Sequence, residues 1–262
     1  MQLALSGRLW ETPNGYSSTL IEQIQIAADL NYQGIEVRYP LIPPASDWGL
    51  LKNALIHHKI ELVFAPASGV PSTPEARDDL IRVLDFLQYC DAPFLKLIPT
   101  QESDHDAMRL AADLGAERGI RVLTQLHANT LTDTVENTVR FFETLGHPNL
   151  GLIFDAAHIP FSEEISIGAA IARLWPWIEL VNLQSYKPAR DDDGLKHVSI
   201  NEREWSLALP GDANGTDLST TIGILQRLGC DGWLTVMPAV DGRIPPTQVA
   251  RAYIEFLNPL IS

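Results

Sequence analysis

A repeat of pattern, not of residues, most constrains what this chain can fold into. Eight short apolar runs of strand character recur along it: QLALS (2–6), GIEVR (34–38), IELVFA (60–65), PFLKLI (93–98), IRVLTQLH (120–127), LGLIFD (150–155), IELVNLQ (178–184) and GWLTVM (232–237). A segment with helical spacing follows each run, so one unit takes about 30 residues, the repeat of a (β/α)8 barrel. Val135, Val139, Phe142 and Leu145 share one helical face, as do Leu218, Ile222, Leu225 and Leu228. Gly34, Gly119, Gly146 and Gly229 read as helix stops. The competing doubly wound sheet has fewer strands and a glycine-rich first turn, whereas QLALS runs into GRLWETPNG. No shift in composition marks a linker, so residues 1–262 read as one domain. The longest connection, from Ser185 to about Thr216, is expected to form a flap over the barrel mouth.

Composition narrows the partners. The chain has 19 Lys plus Arg against 33 Asp plus Glu, a formal charge of −14. That field repels polyanions, so nucleic acid is not an expected partner. No apolar run approaches the length of a membrane helix, and the first residues carry no signal-peptide pattern. Two cysteines, Cys90 and Cys230, give neither a disulfide framework nor a thiolate cluster. The expected location is the cytoplasm, and the sequence leaves room for a homo-oligomer.

In such a barrel the functional groups sit where strands end. Those ends are Ser6, Arg38, Ala65 to Ser68, Pro99, Gln125 with His127, Asp155 with His158, Gln184 and Met237. Gln125 and His127 are two residues apart and face one way, as do Asn182 and Gln184. Polar groups facing a barrel interior need hydrogen-bond partners, which makes this end wet, ligand-bound or internally paired.

At these positions the chain resembles the xylose isomerase-like barrel superfamily. NLGLIFDAAHI is similar to its Asp-x-x-His strand-six pattern, and RVLTQLHAN to its strand five. GIEVR resembles its second strand, and LALPGDANGTDLSTTIGILQRLGCDGWLTVMPAV its closing stretch. The resemblance implies a (β/α)8 TIM barrel of the sugar isomerase and epimerase type. Many relatives of that type hold one divalent cation with Glu, Asp, His and Glu on strands five to eight. By position this chain offers Gln125, Asp155, Gln184 and Met237. Two amides, one carboxylate and a thioether suit Mn2+ or Mg2+ poorly, since hard cations want charged oxygens. No cofactor is therefore expected. A weakly held Mn2+ or Mg2+ would have to use Asp155, Gln125, Gln184 and His158.

Two functional readings follow. In the first, the protein is an isomerase- or epimerase-like enzyme acting on a small carbohydrate or polyol derivative, a small-molecule partner held in the mouth. Asp155, His158, His127 and Lys187 are then the candidate catalytic residues. Gln125, Gln184, Arg38 and Tyr186 are the candidate substrate-binding ones. In the second, the barrel is a non-catalytic carbohydrate binder or partner subunit descended from such enzymes. Bland alternatives stand beside each residue. Asp155 and His158 can tie strand to turn, His127 can be a satisfied interior histidine, and Met237 can be core filler. Glu36 and Arg38 can pair with each other, and residues 184–197 can form a solvated loop.

Overall fold

Eight parallel strands close into a barrel in the computed structural model, which describes residues 1–101, 104–190, 197–238, 242 and 244–261. The strands are β1 (Gln2–Ser6), β2 (Gly34–Glu36), β3 (Glu61–Pro66), β4 (Phe94–Lys96), β5 (Arg121–Gln125), β6 (Leu150–Asp155), β7 (Ile178–Leu183) and β8 (Trp233–Val236). Each pairs with its neighbours in sequence, and β1 closes the ring on β8 with Gln2 opposite Trp233 and Leu5 opposite Val236. All eight expected runs are present. Several were read too long: Arg38, His127, Gln184 and Met237 lie just past their strands. Among the described residues no helix is long and apolar enough to cross a membrane.

The outer layer consists of α1 (Leu20–Asp29), α2 (Trp48–His58), α3 (Pro74–Tyr89), α4 (His105–Ala116), α5 (Val135–Leu145), α6 (Ile167–Leu174), α7 (Leu218–Arg227) and α8 (Pro246–Ile261). Their starts are encoded locally. Thr19 and Glu22 form a capping box, and Thr73, Thr134, Ser166 and Asp217 each accept a hydrogen bond from the first turn of their helix. The stops at Gly119, Gly146 and Gly229 hold, each with positive φ. Gly34 does not stop a helix. It lies in β2, where a Cβ would come within 2.5 Å of a Val63 methyl and 2.7 Å of the Trp233 ring. Asn31, in the left-handed region, turns the chain there instead. Leu228 caps α7 and is exposed, so the buried face of that helix is Leu218, Thr221, Ile222 and Leu225. The face of α5 shifts likewise: Thr138 and Phe141 are buried while Val139 is half-buried.

The apolar core has two compartments. The larger lies between the sheet and the helices. The smaller plugs the barrel itself and comprises Ala4, Val63, Phe64, Leu123, Ile153, Leu180, Trp233 and Met237, with Phe94 packed on it. The connection after β7 forms a three-stranded antiparallel sheet from Tyr186–Pro188, Arg203–Leu207 and His197–Ile200. It packs through Tyr186 and Trp205 on Ala128, Ala157 and Phe161, residues of the loops after β5 and β6. The expected flap is therefore there, and the solvated-loop alternative fails for Gln184, Ser185 and Tyr186, which are buried, while Lys187 is half-buried and Pro188 exposed. Residues 191–196 lie outside the described residues.

Candidate active site

Side chains alternate along a strand, so a residue two places beyond a plug residue also points inward. Going up from Ala4, Phe94, Leu123, Ile153, Leu180 and Trp233, this rule gives Ser6, Lys96, Gln125, Asp155, Asn182 and Thr235. From Gly34 on β2 it gives Glu36. All seven are buried. The plug thus carries a polar layer at its carboxyl-terminal end, made of two acids, one lysine and four neutral groups.

Asp155 is the centre of this layer. Its Oδ2 accepts from Gln125 Nε2 at 2.8 Å and from Gln184 Nε2 at 2.5 Å, and its Oδ1 accepts from the Ala157 N–H at 3.2 Å. The last bond also caps the short turn Ala156–His158. Burial raises the Asp155 carboxyl to about 7, against the opposing pull of these donors and of the Lys96 and Arg8 charges.

Arg8 was not foreseen. It follows β1 in the short 3-10 turn Gly7–Trp10, and its Nη1 donates to Gln184 Oε1 at 3.1 Å. Its Nη2 reaches the Tyr186 hydroxyl at 3.5 Å, and that hydroxyl donates to Gln184 Oε1 at 3.3 Å. A guanidinium has only donors, so Gln184 must turn its oxygen to Arg8 and its nitrogen to Asp155.

Lys96 was also missed, although its inward parity in the apolar strand FLK is a signal that could have found it. It is 7 % exposed, and among the described residues no carboxylate comes within ion-pair distance of its ammonium. Burial lowers its amine to about 8, and the Glu36 charge only partly offsets this.

Beside Asp155 two imidazoles pack together, His127 on His158, with ring centroids 4.1 Å apart and planes inclined by 34°. The Ala128 N–H donates to His158 Nδ1 at 3.2 Å, which places the His158 proton on Nε2. His127 has the opposite tautomer: its Nδ1 donates to the Ala128 carbonyl at 2.8 Å, leaving an Nε2 lone pair. Burial pushes His127 down to about 4 and His158 well below its ordinary value, so both rings are neutral near pH 7. The loop that carries them is self-contained. Asn129 takes the left-handed conformation, Thr130 donates to the His127 carbonyl at 2.7 Å, and Thr132 donates to the Gln125 carbonyl at 2.6 Å.

The other candidates lie apart from this network to differing degrees. Arg38 pairs with Glu36 at 3.1 Å, and Glu36 also accepts from the Ser6 hydroxyl. Lys187 sits on the flap, 4.0 Å from Asp212. Met237, two places beyond Thr235, packs on the plug cluster and turns its sulfur to the polar layer, where Asn182 Nδ2 donates to it at 3.5 Å. Among the described residues no three His, Cys, Asp or Glu side chains come together as metal ligands would. A cavity of 560 Å³ opens beside the mouth under the flap, against Ala156, Tyr186, Trp205 and Thr216, and neither Asp155 nor Lys96 lines it.

Residues 82 long in all are 32 % identical to the 3-dehydroshikimate dehydratase of Bacillus anthracis, a stretch that spans 31 % of this chain and 29 % of that protein. Two solved structures match over the whole chain. The zinc-bound IolI protein superposes with a TM-score of 0.77 at 14 % identity, covering 100 % of this chain and 98 % of its own. D-psicose 3-epimerase from Clostridium cellulolyticum H10, solved with D-tagatose, superposes with a TM-score of 0.74 at 14 % identity, covering all of both chains. Identities this low speak for the fold alone. The family model described as xylose isomerase-like TIM barrel matches residues 24–260, and the chain belongs to that family.

Proposed function

We propose that this protein is an isomerase- or epimerase-like enzyme that removes a proton beside the carbonyl of a small polyhydroxylated compound held in the barrel mouth. One observation carries the reading. The buried polar layer contains a carboxyl that titrates near 7, next to acceptor oxygens that have no partner. Those oxygens are Gln125 Oε1, Asn182 Oδ1 and Thr235 Oγ1. Leaving such an atom unmet costs about 1–3 kcal/mol, and ligand hydroxyls or water would remove that cost. A base with a pKa near the working pH suits proton transfer. Epimerisation, isomerisation and loss of water from a hydroxy-carbonyl compound all begin with such a step. The relatives named above, a dehydratase and an epimerase, are in keeping with it.

In this reading Asp155 takes the proton. His127 accepts a substrate O–H with its Nε2 lone pair, and His158 donates its Nε2–H to a substrate oxygen. Gln125, Gln184 and Tyr186 orient the substrate, while Arg38, engaged with Glu36, and Lys187, on the flap, stand further out.

A divalent cation is the group that the fold family implies here, and the donor set argues against it. Both glutamines present N–H groups to Asp155 Oδ2, Arg8 holds the Gln184 oxygen, and the thioether of Met237, a soft donor, takes an N–H from Asn182. A dication at Asp155 would face two amide donors and a guanidinium, so no step is assigned to one.

The test is solvent exchange. Protein in D2O with D-tagatose, D-fructose or 3-dehydroshikimate should wash out the proton beside the carbonyl of at least one of them, as seen by 1H NMR. Saturable binding of these compounds with no exchange would leave a carbohydrate-binding barrel. Neither binding nor exchange would remove the reading altogether.

A further inference from the structure

We propose that Lys96, assisted by Arg8, is a seat for a substrate oxyanion, a fixed positive charge doing what a divalent cation would otherwise do. The inference rests on the proposed function for the identity of that oxygen, the enediolate oxygen formed when the proton leaves. The binding itself rests on geometry alone.

The first observation is the ammonium. Lys96 is 7 % exposed, points into the polar layer, and has no carboxylate within ion-pair reach among the described residues. An ammonium on a buried side chain with no carboxylate in reach is costly, and an anion bound beside it would offset that cost. The two acids nearby are already engaged. Glu36 is taken by Arg38 and Ser6, and Asp155 by two amides and a backbone N–H.

The second observation is charge balance. The chain as a whole is strongly acidic, yet Arg8, Arg38 and Lys96 gather around the two acids of the buried layer, Glu36 and Asp155, with the half-exposed Glu11 3.8 Å from Arg38 on the outer side. A surplus of cations in a low-dielectric pocket favours an anion. The third is rigidity. Arg8 is held by Gln184 and Tyr186, and Gln184 by Asp155, so the guanidinium is oriented before a ligand arrives. Donors fixed where negative charge develops are the arrangement that stabilises an enediolate.

Oxalate, a planar dianion shaped like an enediolate, is the probe, and inorganic phosphate is the second arm. Calorimetric titration is run on protein dialysed against EDTA. Oxalate should bind saturably, Lys96→Met should weaken it at least tenfold, Arg8→Gln several-fold, and Lys96→Arg should retain most of it. Added Mn2+ should not improve binding. Phosphate binding tighter than oxalate would point to a phosphorylated ligand at the same seat. Should Lys96→Met fail to fold, Arg8→Gln and Lys96→Arg carry the comparison. Absence of binding by either anion, binding in Lys96→Met and Arg8→Gln equal to the parent's, or a requirement for Mn2+ would overturn the inference. Oxalate binding without any solvent exchange would leave this seat standing and remove the enzymatic reading. Exchange that Lys96→Met leaves untouched would do the reverse.

Discussion

Asp155 Oδ2 lies 3.9 Å from His158 Nε2, outside hydrogen-bond range, although Asp155 ends β6 and His158 closes the turn directly after it, three positions on. The Asp-x-x-His spacing therefore does not make a dyad. The histidine is oriented by the backbone of Ala128 and the aspartate by two glutamines.

The tautomers should be visible directly. In 15N-edited NMR between pH 5 and 8, His158 is expected as the neutral Nε2–H form and His127 as the neutral Nδ1–H form. Lowering the pH should charge His127 only near 4. If either ring took up a proton near 6.5, the packed, desolvated pair of imidazoles would not exist in solution.

Asp155 should leave a mark on the pH dependence of stability. Its folded pKa, about 7, stands above the ordinary carboxylate value. The native state then binds the proton more tightly than the unfolded one, so this residue's contribution is full below about pH 4 and is lost as pH rises through 7. The difference is at most about 4 kcal/mol, from three units at about 1.4 kcal/mol each. His127, lowered to about 4, works in the opposite sense across part of that range, being destabilising as pH falls below its unfolded value. Urea midpoints of the parent and of Asp155→Asn at pH 4, 6 and 8 isolate the aspartate. Parallel curves for the two proteins would be the contrary result.

The same substitution has a catalytic consequence under the proposed function. Solvent exchange should rise with pH through about 7 in the parent as Asp155 ionises, and fall by orders of magnitude in Asp155→Asn at every pH. Because an asparagine NH2 would oppose a donor at the Ala157 N–H or at the glutamines, a stability loss of about 1–3 kcal/mol should accompany it. An unchanged exchange rate would make Asp155 scaffolding.

If substitutions at the ligand positions are what weakens metal affinity, reversing them should create it. Gln125→Glu, Gln184→His and Met237→Glu together supply two further carboxylates and an imidazole beside Asp155. Mn2+ binding, followed by electron paramagnetic resonance, should appear in the triple variant and be at least tenfold weaker in the parent. Equal affinity in both proteins would refute the donor-set argument.

Gly34 offers a check on the plug. An added methyl there would press on the Val63 methyl and the Trp233 ring, neither of which has a flexible end to give way. Gly34→Ala should cost about 1–3 kcal/mol of stability by overpacking. An unshifted urea midpoint would mean that the barrel interior is looser than these contacts require.

What the sequence alone determined was periodic and local. Strand runs, helix caps and the glycines at 119, 146 and 229 depend on residues within a turn or two, and their pattern sufficed for an eight-fold barrel with Gln125, Asp155 and Gln184 at its mouth. Strand parity even held the information that Lys96 points inward, since Phe94 and Lys96 share a face. Tertiary structure decided the rest, because it depends on which atoms meet across the ring. Arg8 lies 176 residues from Gln184 in the chain, yet it turns that amide, and through it the lone pairs of Asp155. Nothing in GRLW announces this. Met237 and Gln184 each follow a strand directly, but one packs on the plug with its sulfur against Asn182 and the other bonds to Asp155. Spacing along a chain gives the side on which a residue emerges. Only closure of the barrel sets its depth, its partner and hence its charge state.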